Sequence, residues 1–185
     1  WLLKNRYLAE NVMNPLINKL VFMEDMLDTT AGAYAFPPDL DSLAKVLWVF
    51  EPYTLFRKEG GLARQIPSEF ESIISDVGTR IMRFITGESG KVELDTRYTV
   101  IDNHGSWAMV EEKGEHARIA MSKDGITAFV SHKELPGGNH LYTIGRTSQF
   151  IPFDVSAILN ALNKKEGLAN NQGWGGGNIV GGSPR

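Results

Sequence analysis

The 185-residue chain contains no cysteine. That absence excludes disulfides, thiolate metal sites and thiol nucleophiles together, and it suits a reducing compartment, so the expected location is cytoplasmic. The chain also lacks any run approaching the ~18 uninterrupted apolar residues of a membrane span. Nothing at its start has the pattern of a secretory signal. Charge of one sign is missing as well: 19 Lys and Arg face 22 Asp and Glu, a formal net charge of −3. A strongly basic nucleic-acid wrapper is thereby excluded, while a local basic groove is compatible with the average.

Several catalytic signatures are absent too. The histidines His104, His116, His132 and His140 show no H-x-x-x-H spacing and no H-E-x-x-H, so no metal site is expected from this chain alone. There is no G-x-S-x-G elbow for an esterase nucleophile and no G-K-[ST] ending to make a Walker loop. Three carboxylate pairs occur: Glu24 with Asp25, Asp39 with Asp41, and Glu111 with Glu112. The first points in different directions from adjacent helix positions, the second flanks a helix start, and the third leaves a strand for a turn. All three read as solvated surface or caps.

What is present sorts into two halves. In residues 1–28, Leu16, Leu20, Met23 and Leu27 recur at helical spacing, with Pro15 suited to a helix start. After an irregular connection through Pro37-Pro38, Asp39 or Asp41 caps a helix whose face is Leu43, Val46, Leu47 and Phe50; Pro52 is expected to end it. In PSEFESIISDVGTRIMRFITG, Ser68 and Glu71 form an S-x-x-E capping box, and Phe70, Ile73, Ile74, Val77, Ile81 and Phe84 keep helical period up to Gly87. From GESGK onward the pattern changes. TRYTVID, SWAMVEE, GITAFVSH and HLYTIGRTS read as strands separated by DNHG, KDG and ELPGGN turns. EHARIAMSK suits a strand or a helix, and Ala117, Ala120 and Met121 tilt it to a short helix; Asp154 caps DVSAILNALNKKEG. The expected fold class is α+β: a helical region over 1–87, then a mixed β-sheet flanked by helices over 88–185.

The chain closes on GWGGGNIVGGSPR, residues 173–185. Glycine loses the most conformational entropy on ordering, so a cluster is either never ordered or needed for sharp turns and close approach. Trp174, Ile179 and Val180 want burial, which favours the ordered reading. Clustered glycine amides can then form an anion nest, with Gly175, Gly176, Gly177 and Asn178 around it. Arg185 supplies a planar fork matched to phosphate, Ser183 a hydroxyl donor, and Arg146 joins them if its strand runs beside the loop.

The order of GITAFVSH, HLYTIGRTS, DVSAILNALNKKEG and GWGGGNIVGGSPR resembles the DHHA1 domain, the accessory domain of DHH-family phosphoesterases. Those include RecJ-type exonucleases, nanoRNases and cyclic-dinucleotide phosphodiesterases. The resemblance covers roughly residues 90–185. It implies that Gly175, Gly176 and Gly177 match the family's triple glycine, which faces the catalytic cleft and holds a phosphate or terminal nucleotide. Asn178 stands where the family commonly has histidine, and GGSPR departs from its usual small-residue ending. The family's Asp-His-His triplet is absent. The resemblance therefore implies a substrate-binding part that is inactive alone and holds no cofactor of its own. Divalent metal, usually Mn²⁺, would belong to a catalytic domain outside the chain. The expected partners are a short oligonucleotide or small nucleotide and that catalytic domain, with no membrane; a homodimer is compatible. A start at Trp1 rather than Met and a finish within the most distinctive motif suggest a piece of a longer protein. The alternative class is a structural or oligomerisation module with a disordered tail, its interface built from Trp1, Tyr7, Phe36, Tyr53 and Phe56.

Overall fold

A computed structural model describes residues 14–34, 38–135, 137–168 and 173–184. The fold is α+β, with helices first and a six-stranded mixed sheet after them. The chain divides into two compact units, Trp1–Asp25 with Asp39–Glu93, and Met26–Pro38 with Leu94–Arg185.

The first unit is helical. Helix α1 (Pro15–Thr29) begins at its proline, and Asn14 accepts from the Leu16 amide at 2.9 Å, giving an orphan N–H of the first turn a partner. Helix α2 (Leu40–Lys58) is capped by Asp39, whose carboxylate accepts from Ser42 N at 3.2 Å and from the Ser42 hydroxyl. Leu43, Val46, Val49 and Phe56 are its buried face. Pro52 does not end α2 but lies inside it. A mid-helix proline leaves the carbonyl four residues earlier without its donor, and that carbonyl, on Trp48, accepts from Arg80 Nη1 at 2.6 Å. The same guanidinium bonds Glu51 Oε2 at 2.8 Å and lies 4.6 Å from the Trp48 ring centroid. A side chain distant in sequence thus replaces the missing amide.

Arg80 belongs to α4 (Pro67–Ile85), which follows the short α3 (Gly61–Arg64). The Ser68 capping box does not form. Pro67 already occupies the first helical turn, Ile66 is the N-cap, and no side chain caps the end. At the other end Gly87, at φ 81°, donates to Phe84 O while Glu88 N donates to Arg83 O at 2.8 Å, a Schellman closure. Phe56, expected at an exposed interface, is only 5% exposed. Its ring meets Phe70 edge-on at 5.2 Å, a packing invisible to local pattern. Tyr53 is exposed, while Trp1, Tyr7 and Phe36 lie outside the described residues.

In the second unit the strand order is β1-β2-β3-β4-β6-β5. The strands are β1 (Tyr98–Asn103), β2 (Ala108–Glu112), β3 (Ala128–Glu134), β4 (His140–Arg146), β5 (Gly175–Gly176) and β6 (Val180–Gly182). Only β2 and β3 pair in parallel; α5 (Ala117–Lys123) makes the crossover that parallel neighbours need. Successive residues of a strand face opposite sides, so Phe129 and Val130 divide the core into two layers. On one face Phe129 packs with Ala33, Ala108, Val110 and Met121. On the other, Val130 joins Ile144, and α6 (Val155–Glu166) covers them with Val155 and Leu159. Asp154 caps α6 through the Ala157 amide at 3.0 Å, and Gly167 at φ 66° closes it. Edge strand β1 carries a bulge between Val100 and Asp102, a device that discourages further strand pairing.

Candidate functional site

Residues 173–184 are built into the sheet. Trp174 is held by Asn163 of α6, which accepts from the Trp174 amide at 2.7 Å and donates to its carbonyl at 2.8 Å. The indole Nε1 donates to Glu166 Oε2 at 3.1 Å. β5 and β6 then form a hairpin, Gly175 facing Gly182 and Gly176 facing Gly181, and β6 pairs with β4. Two glycines have an internal reason to be there. A Cβ on Gly181 would collide with Leu159 of α6, and one on Gly176 with the Gly181 backbone and Val180 O. Close approach of hairpin strand to hairpin strand, and of hairpin to helix, requires both.

The stretch from Gly175 to Asn178 is open to solvent: Gly175, Gly176, Gly177 and Asn178 are all exposed. Gly177 N donates to Val180 O at 2.8 Å. Alternation along an antiparallel pair therefore turns the Gly176 N–H toward the unpaired edge of the sheet. Arg146 does run beside the turn. Its amide donates to Ile179 O at 2.9 Å, its Nε to Asn178 O at 2.9 Å and its Nη1 to Ile151 O at 2.8 Å. Two nitrogens of its guanidinium thus hold main chain, and the third, Nη2, makes no hydrogen bond among the described residues.

The predicted site residues do not all converge on one point. Gly177, Asn178 and Arg146 gather at the turn. Ser183 lies at the opposite end of the hairpin, where its Oγ accepts from Tyr142 N at 3.2 Å and its amide donates to Tyr142 O at 3.0 Å. Four strand positions separate Tyr142 from Arg146, a span of about 13 Å. Gly175, paired with Gly182, belongs to the Ser183 end. Arg185 lies outside the described residues.

One polar cluster escapes a local reading. Glu112, expected on a solvated turn, has a side chain only 9% exposed. Its Oε1 accepts from Arg118 Nε at 2.7 Å and from the Ser131 hydroxyl. Arg118 also donates to Ala31 O and to Thr143 Oγ1, both at 2.9 Å. This network ties α5, β2, β3 and β4 to the segment after α1. The alternation of β2 is the signal that could have found it, since Glu112 shares a face with the fully buried Val110. The other carboxylates match expectation: Asp41 pairs with Lys45 at 2.6 Å and with Lys91, and these hydrogen bonds pull its carboxyl down to about 2.

Among the described residues no group of three or more His, Cys, Asp or Glu is arranged to hold a metal ion. No helix there is long and apolar enough to cross a membrane. No family model, curated protein or solved structure matches this chain.

Proposed function

We propose that this chain is the substrate-binding part of a DHH-type phosphodiester hydrolase, carrying a DHHA1-like domain. Its glycine-rich hairpin contacts the phosphates of a short oligonucleotide or small nucleotide. The observation that supports this reading best is the folded hairpin itself, with exposed glycine backbone at its turn and Arg146 beside it. Fixed amides and a guanidinium nitrogen with capacity to spare are the groups that bind phosphate without reading sequence. Gly176, Gly177, Asn178 and Arg146 would contact one phosphate group. Gly175 and Ser183, at the open end of the hairpin, and the terminal Arg185 would contact another. A ligand lying along the β5 edge reaches both, which favours a short strand over a single inorganic phosphate.

Hydrolysis belongs, on this reading, to a catalytic domain of the same cytoplasmic parent, holding divalent metal such as Mn²⁺. The described residues do not fit such a metal, so this chain's own task is to bind and position the ligand. A fluorescence titration with a short 5′-phosphorylated oligonucleotide at two salt concentrations tests it. Binding should be saturable and weaken with salt, and Arg185→Ala should weaken it by roughly 1–3 kcal/mol, the loss of a charge-assisted hydrogen bond. Salt-insensitive binding, or unchanged affinity of Arg185→Ala, counts against the site.

A second reading, an interaction module, draws on Val100 and Ile101 of edge strand β1, which are 44% and 50% exposed. Sedimentation across a hundredfold concentration range separates the two, because only the module predicts a mass that rises with concentration and is insensitive to nucleotide.

A further inference from the structure

The sheet face that α6 covers continues past the helix as a row of aromatic rings. His132 on β3 pairs directly with Tyr142 on β4, their ring centroids 5.9 Å apart. His140, two residues before Tyr142 and so on the same face, lies 5.6 Å from His132 and 6.4 Å from Tyr142. Trp174 follows at 6.3 Å from Tyr142. His140 is exposed, and the other three rings are half-buried. Tyr142 and Trp174 have fixed backbones, the first held by Ser183 just after β6 and the second by Asn163 on α6.

The chemistry of the four rings narrows what they can hold. Two imidazoles suggest a metal first. A ligating imidazole, however, donates its other N–H to an acceptor, and His132 Nδ1 is buried with no hydrogen-bond partner among the described residues. Binding a metal through the outer nitrogen would put a proton on that isolated atom. A cage for a quaternary ammonium ion fits no better, because two of the four walls are imidazoles rather than the indole, phenol or phenyl faces that such a cation prefers. A planar, uncharged heterocycle meets neither objection. It can stack on any one of imidazole, phenol or indole and meet the others edge-on, as the tilts of 38° to 66° between neighbouring rings require. Its edge can accept from a His132 Nε2–H.

We infer that His132, His140, Tyr142 and Trp174 form a stacking platform for a nucleobase, set beside the Ser183 end of the glycine-rich hairpin. The platform rests on the nucleotide reading above for the identity of the heterocycle, and it deepens that reading by adding base contacts to phosphate contacts. It also explains why two histidines and a tyrosine stand partly open just beyond the α6-covered part of the face.

The test uses the full chain and three probes: adenosine 5′-monophosphate, adenosine and ribose 5-phosphate, each titrated by calorimetry. The nucleotide should bind roughly 5- to 100-fold more tightly than ribose 5-phosphate, the range for one stacked base. His140→Ala and Tyr142→Val should each remove a large part of that difference while leaving ribose 5-phosphate binding unchanged. His140 is exposed, so its variant keeps the fold, as far-ultraviolet circular dichroism will check. Equal affinity for nucleotide and ribose 5-phosphate overturns the platform but leaves the phosphate site standing. Adenosine binding as tightly as its monophosphate upholds the platform and removes the phosphate site. No saturable binding of adenosine or its monophosphate, or Zn²⁺ binding that His140→Ala abolishes, overturns the inference.

Discussion

The glycines of the hairpin are not interchangeable, and two single-methyl substitutions separate those that hold it together from those left open. Gly176 adopts φ 152°. A Cβ there would press on Gly181 Cα and Val180 O, both well inside the 3.4 Å at which ordinary contact begins. Those are main-chain atoms of the paired strand, so neither can rotate away, and relief requires the two strands to part. Overpacking of this kind costs about 1–3 kcal/mol. Parting the strands would also loosen Trp174 and Val180, so Gly176→Ala should fall at the upper end. At Gly177 a Cβ meets nothing within 4 Å, and φ lies outside the left-handed region. Its amide would still donate to Val180 O. Gly177→Ala should therefore change stability by no more than about 0.5 kcal/mol.

The two variants also divide in function. The methyl of Gly177→Ala would stand on the exposed turn, between the backbone and any bound phosphate. It should weaken the phosphorylated oligonucleotide several-fold with the fold intact. Urea unfolding followed by tryptophan fluorescence gives the first number, and the oligonucleotide titration gives the second. Equal stability of the two variants would refute the close-packing argument. A Gly177→Ala chain that binds normally would show that the open glycines do not face the ligand.

Two further predictions concern the rest of the molecule. If Arg80 replaces the amide that Pro52 lacks, the two residues are coupled: Arg80→Met should cost about 1–3 kcal/mol beside Pro52 and at least 1 kcal/mol less in the Pro52→Ala chain, whose restored N–H can serve Trp48 O. Equal costs in both backgrounds, measured by urea unfolding at 222 nm, would disprove the substitution of one donor for another. Burial, and then the hydrogen bond to Asp124 at 2.6 Å, push the Tyr98 hydroxyl up from 10.0 to about 12. The neutral phenol is the favoured folded form, so its contribution to stability is whole below pH 10 and is lost as pH rises toward 12. Tyr98 should thus ionise late in a phenolate absorbance titration, and Tyr98→Phe should remove a late-titrating phenol rather than an early one.

Much of the architecture was legible from local chemistry. The helical period and glycine stop of α4, the Asp154 cap of α6, and the alternating runs of β1 to β4 each depend on a few neighbouring residues. So did the order of the glycine segment, because Trp174, Ile179 and Val180 could not be left in solvent. At Pro52 and Glu112, where prediction failed, a residue distant in sequence overrode a local rule. Pro52 carries a helix-stopping signal, yet α2 continues because Arg80, 28 positions later, serves the freed carbonyl. Glu112 has the composition of a surface turn and is buried because Arg118, itself held by Thr143, and Ser131 both donate to it.

The candidate site divides the same way. Its residue types and glycine backbone can be read from the sequence, since glycine, serine and arginine keep their chemistry wherever they lie. Their grouping cannot, because it depends on strand register. The pairing of β4 with β6 puts Arg146 at the hairpin turn and Ser183 at the other end. The pairing of β3 with β4 brings His132, His140 and Tyr142 into one patch. A shift of either register by one residue would turn those side chains to the opposite face. Sequence by itself determined the elements and their chemical means; the cross-strand hydrogen bonds of the folded sheet decided which of those means stand together.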